Sequence, residues 1–206
     1  MTLPDGPLVA WYGDDFTGSA AVMEALEFAG LPSVLFTALP TDAQRACFAD
    51  RRGIGIASTA RTQSPDWMET HLPDAFAWLA ATGAKVIHYK TCSTLDSAPR
   101  TGSIGRAIDI ARRHVAAPWV PVLLAAPNMR RYQAFGHLFA SAGDRVFRLD
   151  RHPVMARHPV TPMDESDVAR HLARQTDAPM GLISVEDMGD LPGALARELS
   201  GGAQII

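Results

Sequence analysis

Two adjacent acids, Asp14 and Asp15, stand directly behind the apolar run Leu8–Tyr12 and Gly13, with Thr17, Gly18 and Ser19 next. Side-by-side carboxylates repel one another, so their presence asks for something that uses them. They can accept hydrogen bonds from sugar hydroxyls, hold a metal or act as a general base. The plainer reading has one acid capping a helix and the other solvated. A second dense segment, Lys90-Thr91-Cys92-Ser93-Thr94-Leu95-Asp96-Ser97, follows the apolar stretch Lys85–Tyr89, and Gly102-Ser103-Ile104-Gly105 then opens a helix. A lysine and several hydroxyls ahead of a helix N-terminus suit an anion, whether carboxylate or phosphate. A polar loop with Lys90 in a surface ion pair is the alternative. Arg61, in Ala57-Ser-Thr-Ala-Arg-Thr-Gln63, can grip a carboxylate with both guanidinium arms or lie on the surface. Arg130 or Arg131 can meet an anion, and Gly136-His137 reads as a tight turn. Cys92 has no clear base beside it and reads as a small buried filler. His152 and His158 each precede a proline, six residues apart, which is not the spacing of a zinc site. Proline keeps the residue before it extended, so this is a stiff loop that can close over a cleft or bridge to the other subunit of a homodimer.

The elements that must position these residues alternate. Strands are expected at Leu8–Tyr12, Ser33–Phe36, Gly53–Ala57, Lys85–Tyr89, Val120–Ala125, Arg145–Arg148, Gly181–Val185 and Ala203–Ile206. Helices are expected at Ser19–Ala29, Thr41–Ala49, Trp67–Ala81, Ser103–Val115, Met163–Gln175 and Leu191–Leu199, the Met163 helix starting from Thr161-Pro162. Strand–helix alternation predicts a single α/β domain, a mostly parallel sheet with helices on both faces. In such a sheet the turn behind the first strand lies on the ligand side. Gly201-Gly202-Ala203-Gln204-Ile205-Ile206 reads as a turn entering a buried strand, so the expectation is a domain cut within that strand and belonging to a longer protein.

The 206 residues are 47% hydrophobic and 20% charged, with net charge −3 and no basic block, which argues against nucleic acid as a partner. Two cysteines, Cys47 and Cys92, make neither a disulfide framework nor a metal spacing, so a reducing cytoplasm is the expected location. A strand from about Leu8 leaves no room for a signal peptide, and no apolar run is long enough to span a membrane. A receiver domain would need an aspartate at the end of the third strand. A haloacid-dehalogenase-type phosphatase would need Asp-x-Asp. Neither is present, and no phosphate loop of the Gly-Lys-Ser/Thr type occurs.

Taken in order, the motifs resemble the N-terminal domain of the four-carbon acid sugar kinase family over nearly the whole chain. The resemblance rests on Asp14-Asp15-Phe16-Thr17-Gly18, Ala60-Arg61-Thr62, Lys90–Ser97 with Gly102–Gly105, Gly136-His137-Leu138-Phe139 and His158–Glu165. Gly13 and Ser19 depart from it, since the family usually has alanine at both. The resemblance implies an ATP-dependent kinase of two domains. The N-terminal one holds a sugar acid such as a threonate, erythronate or oxo-tetronate; a C-terminal one, absent here, binds ATP and most of the Mg²⁺. It implies that Arg61, Lys90 and Ser93 hold the substrate carboxylate, with Thr17 and Arg130 nearby. Asp14 and Asp15 would accept from hydroxyls, and one of them would deprotonate the attacking hydroxyl. Two other classes stay open: a stand-alone sugar-acid binding or sensing protein, and a secreted effector, which the early first strand argues against.

Overall fold

The computed structural model describes residues 3–206. The chain divides into two compact units. The first comprises residues up to Thr91 together with Ile110–Val115, and the second Cys92–Asp109 together with Ala116–Ile206.

The first unit is built on a four-stranded sheet in the order β2-β3-β1-β4: β1 (Val9–Gly13), β2 (Ser33–Phe36), β3 (Gly53–Ala57) and β4 (Val86–Lys90). All three pairings are parallel. Its helices are α1 (Phe16–Phe28), α2 (Asp42–Ala46) and α3 (Pro65–Ala81). Successive side chains of a strand point to opposite faces, and β1 shows what covers each. The fully buried Trp11 gives its indole N–H to the carbonyl of Ser19 in α1. Its neighbour Tyr12 packs on the other face, against Phe76 of α3 and Tyr89 of β4. The sheet is therefore covered on both faces, as the alternation predicts. In β3 the glycines face α1 and the isoleucines face α3. A Cβ on Gly55 would overlap the Trp11 indole, whereas Ile54 and Ile56 are core.

The second unit departs from the expected strand–helix alternation. It holds an antiparallel sheet of β5 (Arg131–Ala134), β6 (His137–Ala142) and β7 (Arg145–Arg148). Positive φ at Phe135 (51°) and Gly136 (79°) makes the two-residue turn between β5 and β6. The tip anticipated at Gly136-His137 thus lies one residue earlier. Leu95, Leu138, Leu149, Met163 and Leu172 lie in its core. Val120–Ala125, Gly181–Val185 and Ala203–Ile206 do not form strands. Ile205 makes one parallel bridge to Val120 and one to Met180, too few consecutive rungs for a strand. The helix expected over Met163–Gln175 is shortened to α5 (Val168–Leu172), capped by Asp167. Thr161 cannot start it because its N–H and hydroxyl both engage His158 Nδ1, at 3.0 Å each. The remaining helices are α4 (Ile104–His114) and α6 (Leu191–Ser200). No helix among the described residues is long and apolar enough to cross a membrane.

Candidate functional site

The chain leaves β1 toward β2 and β3 on one side and returns to β4 on the other. The carboxyl ends of β3, β1 and β4 therefore converge where open parallel sheets bind ligands. Hydrogen bonding continues past those ends. Asp14 N–H donates to Lys90 O (3.0 Å), Ser58 N–H to Gly13 O (3.1 Å) and Arg61 N–H to Asp14 O (3.0 Å). The Ser58 hydroxyl also donates to Gly13 O and accepts from Ala60 N–H, folding the loop behind β3 back over β1. The short 3₁₀ turn Ala60–Thr62 then aims Arg61 at the acid pair.

There Arg61 holds both acids. Its Nη2 lies 2.7 Å from Asp14 Oδ1, its Nε 3.3 Å from Asp14 Oδ2, and its Nη1 2.8 Å from Asp15 Oδ2. Asp15 is also the N-cap of α1, accepting from Gly18 N–H at 2.8 Å. The capping reading thus holds for Asp15 and not for Asp14. The Asp14 side chain is 2% exposed and that of Asp15 28%. Burial pushes the Asp14 carboxyl above its ordinary range. Arg61 opposes this by hydrogen bond and charge; Asp15 adds to it and Lys90 counters. Lys90, opposite Gly13 in the β1–β4 register, turns its ammonium back over the first turn of α1, where it donates to the Thr91 carbonyl and lies against Gly18. Thr17 is exposed on that same turn.

Sequence reasoning missed the floor of this cluster. Tyr12 and Tyr89 stack at 6.1 Å, one register step before Gly13 and Lys90. Burial, then the charge of Asp14, raises the Tyr89 hydroxyl well above its usual range. The signal was available, because two tyrosines end two apolar strands just ahead of the charged residues.

The second unit's residues have partners of their own. Thr94 Oγ1 is 2.9 Å from Cys92 Sγ and donates to Asp96 Oδ1 at 2.8 Å. Leu95 is fully buried yet left-handed, with φ of 56°, a strain that its burial holds in place. The α4 N-terminus, expected to face an anion, is closed from inside. Gln175 Oε1 accepts from Gly105 N–H, the Ser103 hydroxyl accepts from Arg106 N–H, and Gln175 Nε2 donates to Ser97, which is also bonded to His171. Ser93 is half-buried in this loop, three residues after Lys90. The Arg130 guanidinium donates to the carbonyls of Gly143 and Asp144, bracing the β6–β7 turn. His152 and His158 each brace local turns by accepting backbone N–H groups. Among the described residues no three His, Cys, Asp or Glu side chains gather as a metal site.

Comparison with known proteins adds family information. Residues 9–206 match the family described as sugar-binding N-terminal domain. A 3-oxo-isoapionate kinase of Paraburkholderia graminis is 52% identical over 191 residues, covering 93% of this chain and 40% of that protein. A 3-oxo-tetronate kinase of Methylobacterium radiotolerans is 30% identical over 191 residues, covering 93% of this chain and 43% of that protein. The chain thus spans less than half the length of these curated relatives. Among solved structures, Haemophilus influenzae protein HI1011 superposes with a TM-score of 0.83 at 23% identity, over 95% of this chain and 46% of that one. A Bordetella bronchiseptica protein, crystallised with citrate as a domain-swapped dimer, superposes with a TM-score of 0.74 at 23% identity, over 98% of this chain and 47% of that one.

Proposed function

The chain belongs to the sugar-binding N-terminal domain family, and from that premise we propose that it is the acceptor-binding part of an ATP-dependent kinase for sugar acids of the four-carbon, 3-oxo-tetronate type. The observation that carries this reading is the Asp14–Arg61–Asp15 cluster, with Lys90 beside it at the carboxyl ends of three parallel strands. The names of the two relatives above agree on a 3-oxo sugar acid, a molecule with a carboxylate at one end and oxygen functions along its length.

The residues divide the work by exposure and charge. Asp14, buried and bidentate on Arg61, fixes the guanidinium. Arg61 in turn orients Asp15, whose carboxylate is the more exposed of the two. Asp15 accepts from the acceptor hydroxyl and takes its proton as that oxygen attacks the γ-phosphorus of ATP, the bond to the β–γ bridging oxygen breaks and ADP leaves. Lys90 pairs with the substrate carboxylate. This revises the expectation that Arg61 itself grips the substrate, since both of its arms hold acids. ATP, bringing Mg²⁺, is the second substrate, and its site is assigned to the part of the relatives' length that this chain does not span.

Calorimetric titration with threonate, erythronate and the neutral polyol threitol tests the reading. Binding of an acid without binding of threitol is expected. Equal binding of the polyol, or binding of neither acid, contradicts it.

A further inference from the structure

We propose that Gly18 is a positioning residue of this site, there to give the Asp15 carboxylate and the Lys90 ammonium room to lie against the same point of α1. The inference rests on the sugar-acid reading above. Glycine is disfavoured inside a helix relative to alanine, so the third residue of α1 needs a reason to be one. Its φ is not positive, so backbone freedom is not the reason.

The reason lies in what a side chain would meet. A Cβ at Gly18 would stand 2.5 Å from Asp15 Oδ1 and 3.3 Å from Lys90 Nζ. Both atoms are ends of flexible side chains, and the next atom a Cβ would meet, Asp15 Cγ at 3.6 Å, belongs to the same carboxylate. Packing is the constraint at Gly55, where a buried indole blocks the space; at Gly18 it is the placement of two charged groups. The two atoms lie within about 6 Å of one another, a separation that a carboxylate and hydroxyl of one small acid can span. Gly18 also supplies the N–H that holds Asp15 Oδ1 at 2.8 Å. A methyl group at this position leaves the fold an easy escape: the carboxylate and the ammonium swing aside.

The test uses Gly18→Ala in the whole chain, with threonate and erythronate as probes and three readouts. The melting temperature should stay unchanged or rise. Affinity for the bound acid should fall at least about tenfold. In a Lys90→Met background the same change should weaken binding by a smaller factor than in the unmodified chain, because one of the two groups it displaces is already gone. The carboxyl ¹³C signal of Asp15 and the Nζ signal of Lys90, followed without ligand, should both shift in Gly18→Ala. If the unmodified chain binds neither acid while these signals still move, the sugar-acid reading fails and the geometric role stands. Unmoved signals, wild-type affinity, full additivity with Lys90→Met, or loss of the fold each overturn the proposal. In the last case the glycine is a packing requirement.

Discussion

Asp14 and Asp15 are neighbours in sequence and opposites in environment. Asparagine caps a helix as well as aspartate does, so Asp15→Asn should change stability by less than about 1 kcal/mol. In the full-length kinase, on the function proposed above, it should cut turnover by about 10²-fold, the scale of a lost general base. Thermal melts and steady-state rates on this one variant check both halves. Asp14 is distinguished by pH. Its carboxyl is raised by burial, so the folded state keeps that proton above the ordinary value of 3.8. Stability from this group is then full below 3.8 and is lost as pH rises through the folded value. Melting temperatures of wild type and Asp14→Asn, compared from about pH 3.5 to about 7, should favour wild type most at the acid end. A pH-independent difference contradicts the burial argument. Gly13 and Ser19, the two departures from the family pattern, turn out to be one packing event. A Cβ on Gly13 would fall inside the Ser19 hydroxyl, which donates to Asp15 O at 2.6 Å. Gly13→Ala should cost about 1–3 kcal/mol. Ser19→Ala on top of it should recover part of that loss, as a double-mutant cycle by chemical denaturation would show.

At the level of elements, β1, β2, β3, β4, α1 and α3 were readable because apolar runs with Gly punctuation mark them, and in β1 and β3 burial agrees with that pattern. Gly55 shows why β3 can be so glycine-rich: Trp11, fully buried, occupies the space where its side chain would be. Gly55→Ala should therefore lower stability by about 1–3 kcal/mol in urea melts, although alanine is ordinarily the better-tolerated residue in a strand. An unchanged midpoint would mean that the indole moves freely. Residues 120–206 were less readable. Arg131–Ala134 carries too little apolar pattern to announce a strand, and its pairing with His137–Ala142 depends on a turn with positive φ at Phe135, a residue that does not advertise one. Thr161-Pro162 looked like a helix start, but a histidine three residues earlier takes the hydroxyl. The site divides in the same way. Asp14, Asp15, Arg61 and Lys90 are evident as charged residues behind apolar strands. That Arg61 pairs with the acids follows from the β3–β1–β4 register, which local spacing does not encode.

For the molecule as a whole, one family match spans residues 9–206, and within that span the first unit carries the charged cluster on a wholly parallel sheet. Within the second unit, Gln175 closes the start of α4 by accepting from Gly105 N–H. On the function proposed above, sugar-acid recognition rests on the first unit, where Lys90 contributes a charge-assisted bond to the ligand carboxylate. The measurement that addresses this most directly is calorimetric titration of threonate or erythronate into the chain and into its Lys90→Met variant, with melting temperatures confirming that both are folded. The account predicts a loss of about 1.5–3 kcal/mol in binding free energy, roughly 10- to 150-fold in affinity. Equal affinity of the two proteins would contradict it and put the carboxylate somewhere else.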